Sequence, residues 1–327
     1  MKKPLFAARI LLGGIGLWFL ALLFCGFAFA ARLKVVTTTT DLRAIAEAVG
    51  GDRVEAESLL RGYQDPHNVE IKPSYLLKLR RADLFIRVGL DLDPWADPLL
   101  DGARNGRILK GGPGYLDASA GIEVLEVPTS RVDRSLGDIH IFGNPHYWLD
   151  PENGKRSAAA ILGALSRLAP QEAPVFQHNY AAFVKRLDEA MAKWQKQMEP
   201  YHGVKIVTYH KSWSYFARRF GLVVAGFIEP KPGVPPSPSD LVSLINRMKE
   251  EGIKLIVMEP YQSEAVPRRI AQETGARVVI LPPSVGGERG VDEYIALFDR
   301  IIEKLTEAAA SVGLKINRPE GAQRSRR

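Results

Sequence analysis

From Gln171 to Glu199 the apolar residues fall at Phe176, Tyr180, Phe183, Leu187, Met191, Trp194 and Met198. Steps of four and three repeat without a break, which places them in one stripe along a single long helix. A helix over this span rises 1.5 Å per residue and forms a rod of about 40 Å. Whatever lies on either side of the rod is braced by it, so only modest hinge motion is expected between the flanking parts.

Both flanks read as α/β sequence, with short β-rich runs alternating with amphipathic stretches in the pattern of mainly parallel sheets. Before the rod, Leu33–Thr40, Val54–Leu60 and Leu84–Val88 read as strands. Asp41 to Val49 reads as a helix with Asp41 as its N-cap, and Pro151 opens another helix. Between Gly102 and Asn144 the periodicity fades into Gly, Pro and Asp, so loops and a short strand or two are expected. After the rod, Lys205–Thr208, Val223–Ile228, Leu255–Met258 and Val278–Leu281 read as strands. Ser212–Phe220, Pro238–Glu251 and Ala265–Thr274 read as helices, with Gly221, Gly252 and Gly275 at their stop positions. A final helix runs from about Val291 to Ala309. The expected organisation is a leader over 1–30, a first lobe over 31–168, the linking helix over 169–203, a second lobe over 204–312 and a tail over 313–327.

The leader has a positive start (Lys2, Lys3, Arg9), an apolar run from Ile10 to Phe29, and small residues in Ala28-Phe29-Ala30. This is the pattern of a cleavable export signal, with cleavage expected before Ala31. An uncleaved anchor is the alternative, because a run of about 20 apolar residues can span a bilayer. Cys25 is the only cysteine, and Phe24 before it is too large for lipid-modifying processing. A cleaved chain has no thiol, so any metal must be held by nitrogen and oxygen. The formal charge of +7 lies in the leader and in the tail, where Lys315, Arg318, Arg324, Arg326 and Arg327 outweigh Glu320. The body is close to neutral, which argues against nucleic acid as a partner. The tail reads as disordered.

Three of the six histidines, His67, His146 and His210, follow short apolar runs in well-separated parts of the chain. His67 and His210 come just after predicted strands, where open parallel sheets bind their ligands, and His146 lies in the loop before Pro151. Three imidazoles brought together from such places would form a site for a borderline divalent metal.

The residues around them resemble the zinc and manganese solute-binding proteins of ABC transporters, over nearly the whole chain after the leader. The resemblance rests on the run Val35 to Leu42 (VVTTTTDL), on Asp65-Pro66-His67-Asn68-Val69-Glu70 with Lys72-Pro73-Ser74, and on Ala82-Asp83-Leu84. It continues through Gly143 to Pro151 (GNPHYWLDP), Tyr209 to Phe216 (YHKSWSYF) and Phe227 to Gly233 (FIEPKPG). It implies two Rossmann-like α/β lobes with parallel sheets joined by one long rigid helix, and a metal site in the cleft between them. His67 and His146 would be ligands from the first lobe and His210 the ligand from the second. The implied function is a periplasmic receptor, a monomer and not an enzyme, that captures a divalent ion and passes it to an ABC permease in the inner membrane. Related manganese receptors tend to carry a carboxylate at the third position where zinc receptors keep imidazole. Zn2+ is therefore expected ahead of Mn2+, since manganese prefers more oxygen.

The chain departs from the family in one respect. Many members supply a fourth ligand, an aspartate just after the last strand of the second lobe, and here that stretch reads Leu281 to Gly287 (LPPSVGG). Water, Glu259 or Glu229 could fill the position. Glu259 is read as an outer partner rather than a ligand, accepting a hydrogen bond from a nearby loop or a ligand histidine. His140 is read as a solvated loop histidine rather than an accessory ligand, and His178 and His202 as uninvolved. No long His-rich loop is present. An open three-histidine zinc site also suits a zinc-dependent hydrolase. That alternative needs Glu229 or Glu259 as general base, and none of the common hydrolase or phosphate-binding motifs occurs. A surface-anchored adhesin on the same scaffold would need an uncleaved leader or a lipid. The dense Pro230–Pro238 stretch reads either as a stiff connection before a helix or as a wall of the cleft.

Overall fold

The computed structural model describes residues 31–129, 140–231 and 233–314. The expectations for the leader and for residues 315–327 of the tail lie outside the described residues. Up to the rod, the chain runs β1 (Leu33–Thr37), α1 (Thr40–Gly50), β2 (Val54–Ser58), α2 (Pro73–Arg81), β3 (Leu84–Arg87), α3 (Asp97–Ala103), β4 (Tyr115–Asp117) and α4 (Pro151–Leu168). The rod is α5 (Ala173–Met198), with a 3-10 turn at either end. Beyond it come β5 (Lys205–Thr208), α6 (Ser214–Phe220), β6 (Val223–Phe227), α7 (Pro238–Glu250), β7 (Leu255–Met258), α8 (Ala265–Thr274), β8 (Arg277–Ile280) and α9 (Tyr294–Ser311).

Two four-stranded sheets result, ordered β2-β1-β3-β4 and β6-β5-β7-β8, and every pairing is parallel. In each, the chain steps outward from the first strand and then crosses to its other side. That crossing leaves a crevice beyond the carboxyl ends of β1 and β5. Val35, Leu84 and Ile86 from one sheet and Ile206, Leu255 and Val257 from the other belong to a single buried core. The stripe of α5 lies in that same core, with Phe176, Phe183, Leu187, Met191, Trp194 and Met198 buried. Asn179 Nδ2 donates to the Val49 carbonyl (3.2 Å) at the end of α1. Trp194 Nε1 donates to Asp299 Oδ1 (2.8 Å) on α9, and the indole packs 5.2 Å from the Phe298 ring. The rod is therefore anchored at both ends of the fold. Each sheet's other face has its own smaller core, built around Phe85 and Leu79 in the first and Ile256 and Met248 in the second.

Several expectations are corrected. Helix α1 starts at Thr40 with Thr39 at the cap, so Asp41 sits inside the first turn. Its carboxylate accepts from the backbone of Val285 (3.0 Å) instead, a bond between distant parts of the chain. Helices α2 and α3 were not foreseen. Helix α9 begins at Tyr294 rather than Val291, and β8 lies one residue earlier than expected. Pro238 opens α7, whose cap is a reciprocal pair between Ser237 and Asp240.

Candidate metal centre

The loops that follow β2, β5 and β6, together with the segment before α4, converge at the crevice. Asp65-Pro66-His67 and Asn144-Pro145-His146 fold in the same way. Asp65 Oδ1 accepts from the backbone N–H of His67 (2.9 Å) and lies 2.9 Å from its ring Nδ1. Asn144 Oδ1 takes the backbone N–H of His146 (2.9 Å) and lies 3.0 Å from its Nδ1. The intervening proline fixes φ, and the Asx oxygen closes a turn onto the residue two places on. Each tripeptide thus orients its own imidazole. His210 is oriented from outside its segment: Glu229 Oε2, just past β6, meets its Nδ1 at 2.8 Å. The Glu229 N–H bonds back to the Tyr209 carbonyl (2.9 Å), which holds the two strand ends in register.

Carboxylate and amide oxygens accept, so Nδ1 carries the proton in all three neutral rings and Nε2 keeps its lone pair. One ring nitrogen from each of His67, His146 and His210 could serve a metal ion, and these atoms all lie within 4.8 Å of one another. Their ring centroids are 5.0 Å (His67–His210), 5.1 Å (His67–His146) and 5.4 Å (His146–His210) apart. His146 Nε2 is buried and has no hydrogen-bond partner. A buried nitrogen left in this state is costly unless something binds it. The donor set is imidazole backed by hydrogen-bonded acceptors, which is the form that metal-ligating histidines take.

Electrostatics agree with this arrangement. Burial, followed by the neighbouring imidazoles, holds the His146 pKa well below its ordinary value, so the ring is neutral. Burial works against the charge on His210, but the bond to Glu229 and the charges of Glu259 and Asp65 outweigh it and raise its pKa. Burial would raise Asp65, yet its bonds to His67 and Asn68 and the imidazole charge pull it down to about 2. A cavity of about 190 Å³ opens beside the cluster, lined by Asp65, His67, His210, Glu229, Gly233 and Tyr261 among others.

Glu259 is fully buried behind His210, but its direct partner is Trp213, whose Nε1 donates to Oε1 (2.9 Å). The acceptor on His210 is Glu229, so Glu259 acts on that ring through its charge. Strands β6 and β7 flank β5 on opposite sides. A glutamate at either strand end was therefore a candidate, and the sequence carries no signal that chooses between them. Asp65 and Asn144 were legible in retrospect as a repeated Asx-Pro-His pattern. His178 is exposed on α5, and His202 lies over Gly221, both apart from the cluster. His140, expected to be solvated, instead lies beside His67, with Nε2 atoms 3.2 Å apart.

The backbone places the stretch after β8 against the first sheet's half. Trp148 Nε1 donates to the Pro283 carbonyl (2.9 Å), and Val285 N–H is taken by Asp41. Asn144 Nδ2 donates to the Lys211 carbonyl (2.8 Å), next to His210, and Tyr215 Oη donates to the Asn144 carbonyl (2.8 Å). The segment carrying His146 is thereby pinned to the one carrying His210.

Residues 35–308 match the model of the ZnuA family, described as zinc-uptake complex component A, periplasmic. The chain belongs to this family. It is 26% identical over 263 residues to the zinc-binding protein AdcA of Streptococcus pyogenes serotype M6, covering 78% of this chain and 51% of that protein. The chain therefore spans about half the length of such relatives. A putative metal-binding protein of Treponema pallidum is 25% identical over 269 residues, covering 80% of this chain and 83% of that one. A crystal structure of ZnuA superposes with a TM-score of 0.72 at 27% identity, covering 85% of this chain and 99% of that one. The two parallel-sheet lobes and the helix that joins them are thus the family's architecture. The family is one of metal uptake. Among the described residues no helix is long and apolar enough to cross a membrane.

Proposed function

We propose that this protein is a periplasmic receptor that captures one divalent ion, zinc ahead of manganese, and delivers it to an ABC permease of the inner membrane. His67, His146 and His210 are the ligands, drawn from a first lobe over 31–168 and a second over 204–312 that residues 169–203 join. The observation that carries the reading is the convergence of three imidazoles, each offering one ligand nitrogen and each with its Nδ1 beside an outer acceptor, with His146 Nε2 buried and unpartnered. Three nitrogens suit zinc better than manganese. The description of the family and the name of the streptococcal relative point the same way. A hydrolase would need a free general base near the metal. Glu229 is engaged with His210, and Glu259 lies fully buried with Oε1 bound to Trp213 and Oε2 without a hydrogen-bond partner.

Equilibrium dialysis of the chain beginning at Ala31 tests the reading. The expected result is tight one-to-one zinc retention at neutral pH, abolished in His146→Ala and resistant to a large excess of manganese. Failure to retain zinc would remove the proposal. Mass spectrometry of exported protein should find Ala31 as the first residue, and an intact leader would replace the soluble receptor with an anchored one.

A further inference from the structure

Three histidines leave one coordination position of a four-coordinate ion open, and no acidic residue occurs between Leu281 and Gly287, where the family pattern would supply it. That stretch is committed elsewhere, through the Pro283 carbonyl and the Val285 N–H already described. On the His67 side of the cluster stands His140, its ring centroid 5.2 Å from His67 and 6.2 Å from His146. Nδ1 of His140 lies 3.0 Å from the Asp91 carbonyl oxygen. A carbonyl oxygen only accepts, so this nitrogen carries the ring's proton. Nδ1 of His67 carries its proton for the same reason, facing the Asp65 carboxylate. In the neutral rings both Nε2 atoms are then acceptors, and they face each other at 3.2 Å with no hydrogen between them. Two lone pairs held this close need a cation to bridge them. Ligand nitrogens on tetrahedral zinc, each about 2.0–2.1 Å from the metal, lie about 3.3–3.4 Å apart. The observed separation fits that edge.

The geometry points to His140 Nε2 as the fourth ligand, taking the place of the second-lobe carboxylate. It already makes one edge of the site with His67 and would move in on His146 and His210, whose ligand atoms cluster with that of His67 alone. This deepens the zinc-receptor reading and rests on it. The carbonyl that orients His140 is itself held in an unusual turn after β3. Gly89, Leu90 and Asp91 are all left-handed, with φ of 80°, 49° and 64°. Non-glycine residues persist there only where the surroundings fix them. The fixing group is buried Asp93, which accepts from the N–H groups of Val88 (2.7 Å) and Gly89 (3.2 Å) and from Arg87 Nε (3.0 Å). The turn thus aims the Asp91 carbonyl at His140 as Asp65, Asn144 and Glu229 aim at the other three rings. Four nitrogens and no oxygen also make a poor manganese site, so the replaced ligand would set the choice of metal.

X-ray absorption at the zinc edge and zinc competition against a chromophoric chelator test the assignment. They are applied to the chain from Ala31 and to His140→Ala, His140→Asn and His146→Ala. The expected result is four imidazoles on zinc in the parent and three in both His140 variants. Zinc affinity should fall in both variants by more than the about 10–100-fold that loss of an outer partner costs. Circular dichroism and metal-free melting should match the parent, since His140 is only half-buried on a loop. Three imidazoles in the parent, or His140 variants with parental affinity, would overturn the assignment and leave zinc binding through the other three intact. A parent that binds no zinc would overturn the receptor reading itself, and with it this one.

Discussion

Replacing Glu229 by glutamine tests how far the outer acceptors contribute to metal binding. The amide can still accept from His210 Nδ1, where the carboxylate sits at 2.8 Å, but it brings no charge. Across the ring, the carboxylate would lie about 6 Å from a zinc ion on Nε2. Even at the dielectric of water that attraction is about 1.4 kcal/mol, which sets a floor of about tenfold in affinity. The hydrogen bond also drops from a charge-assisted to a neutral one, a loss of about 1 kcal/mol. Together the terms predict a deficit of about 10–100-fold, in line with what such partners contribute elsewhere. The deficit should depend on pH in a definite direction. Glu229 raises the His210 pKa, so the parent loses zinc to protons at a higher pH than the variant does. A chelator competition at about pH 8 should show the full deficit, and the gap should narrow at about pH 6, below the ordinary imidazole value. A difference under about twofold at the higher pH, or a gap that widens on acidification, would refute the role given to this carboxylate.

Four further outcomes are expected. Burial raises the Asp41 pKa from 3.8 to about 7, so the folded state holds a proton that the unfolded state releases. The stabilisation this gives is complete below about pH 4 and lost as the pH rises through about 7, up to about 4 kcal/mol. Chelator-treated Asp41→Asn should therefore gain in melting temperature relative to the parent between those limits, and parallel melting curves across that range would count against it. In Gly62→Ala the new Cβ would sit 2.0 Å from the Val285 carbonyl oxygen and 2.5 Å from Gly287 N, both backbone atoms. Both melting temperature and zinc affinity should fall, as read by calorimetry, because the loop after β2 must withdraw from the loop after β8. Trp194→Ala should cost about 3–5 kcal/mol in urea titrations, the usual cost of emptying an aromatic core site. Small-angle scattering should give indistinguishable radii of gyration with and without zinc, because both sheets share one core with the rod.

The strands and the rod could be read from the chain because their signals are local. Each strand is a short β-rich run, and the stripe of α5 keeps one period through all its buried members. Helix α2 escaped because only Tyr75 and Leu79 are buried on it, while Leu77 faces solvent, so its stripe is too thin to register. The three histidines proposed as ligands stand out in the sequence through strand-end position and surrounding motifs, and the structure brings them together. Their outer partners divided according to distance in the chain. Asp65 and Asn144 lie two residues from their rings, within reach of a motif, whereas Glu229 lies nineteen residues from His210 across a strand pair. His140 had no sequence signal because its place depends on a turn forty-nine residues away in the chain, whose left-handed residues include Leu90, a residue that announces no such turn.

On the proposed ligand set, the twin Asx-Pro-His turns bear on how an ion would leave. They set the rings of His67 and His146 from within their own tripeptides, on the same half of the molecule, while His210 alone comes from the other. Drawing the halves apart would therefore strip a single donor and leave the rings of the first half, His67 and His146 with His140 beside them, still aimed at the cargo. Unloading cannot be a simple parting of jaws. It requires that the grip of the first half be loosened in its own right, by protons, by a competing donor, or by strain applied to the two proline turns.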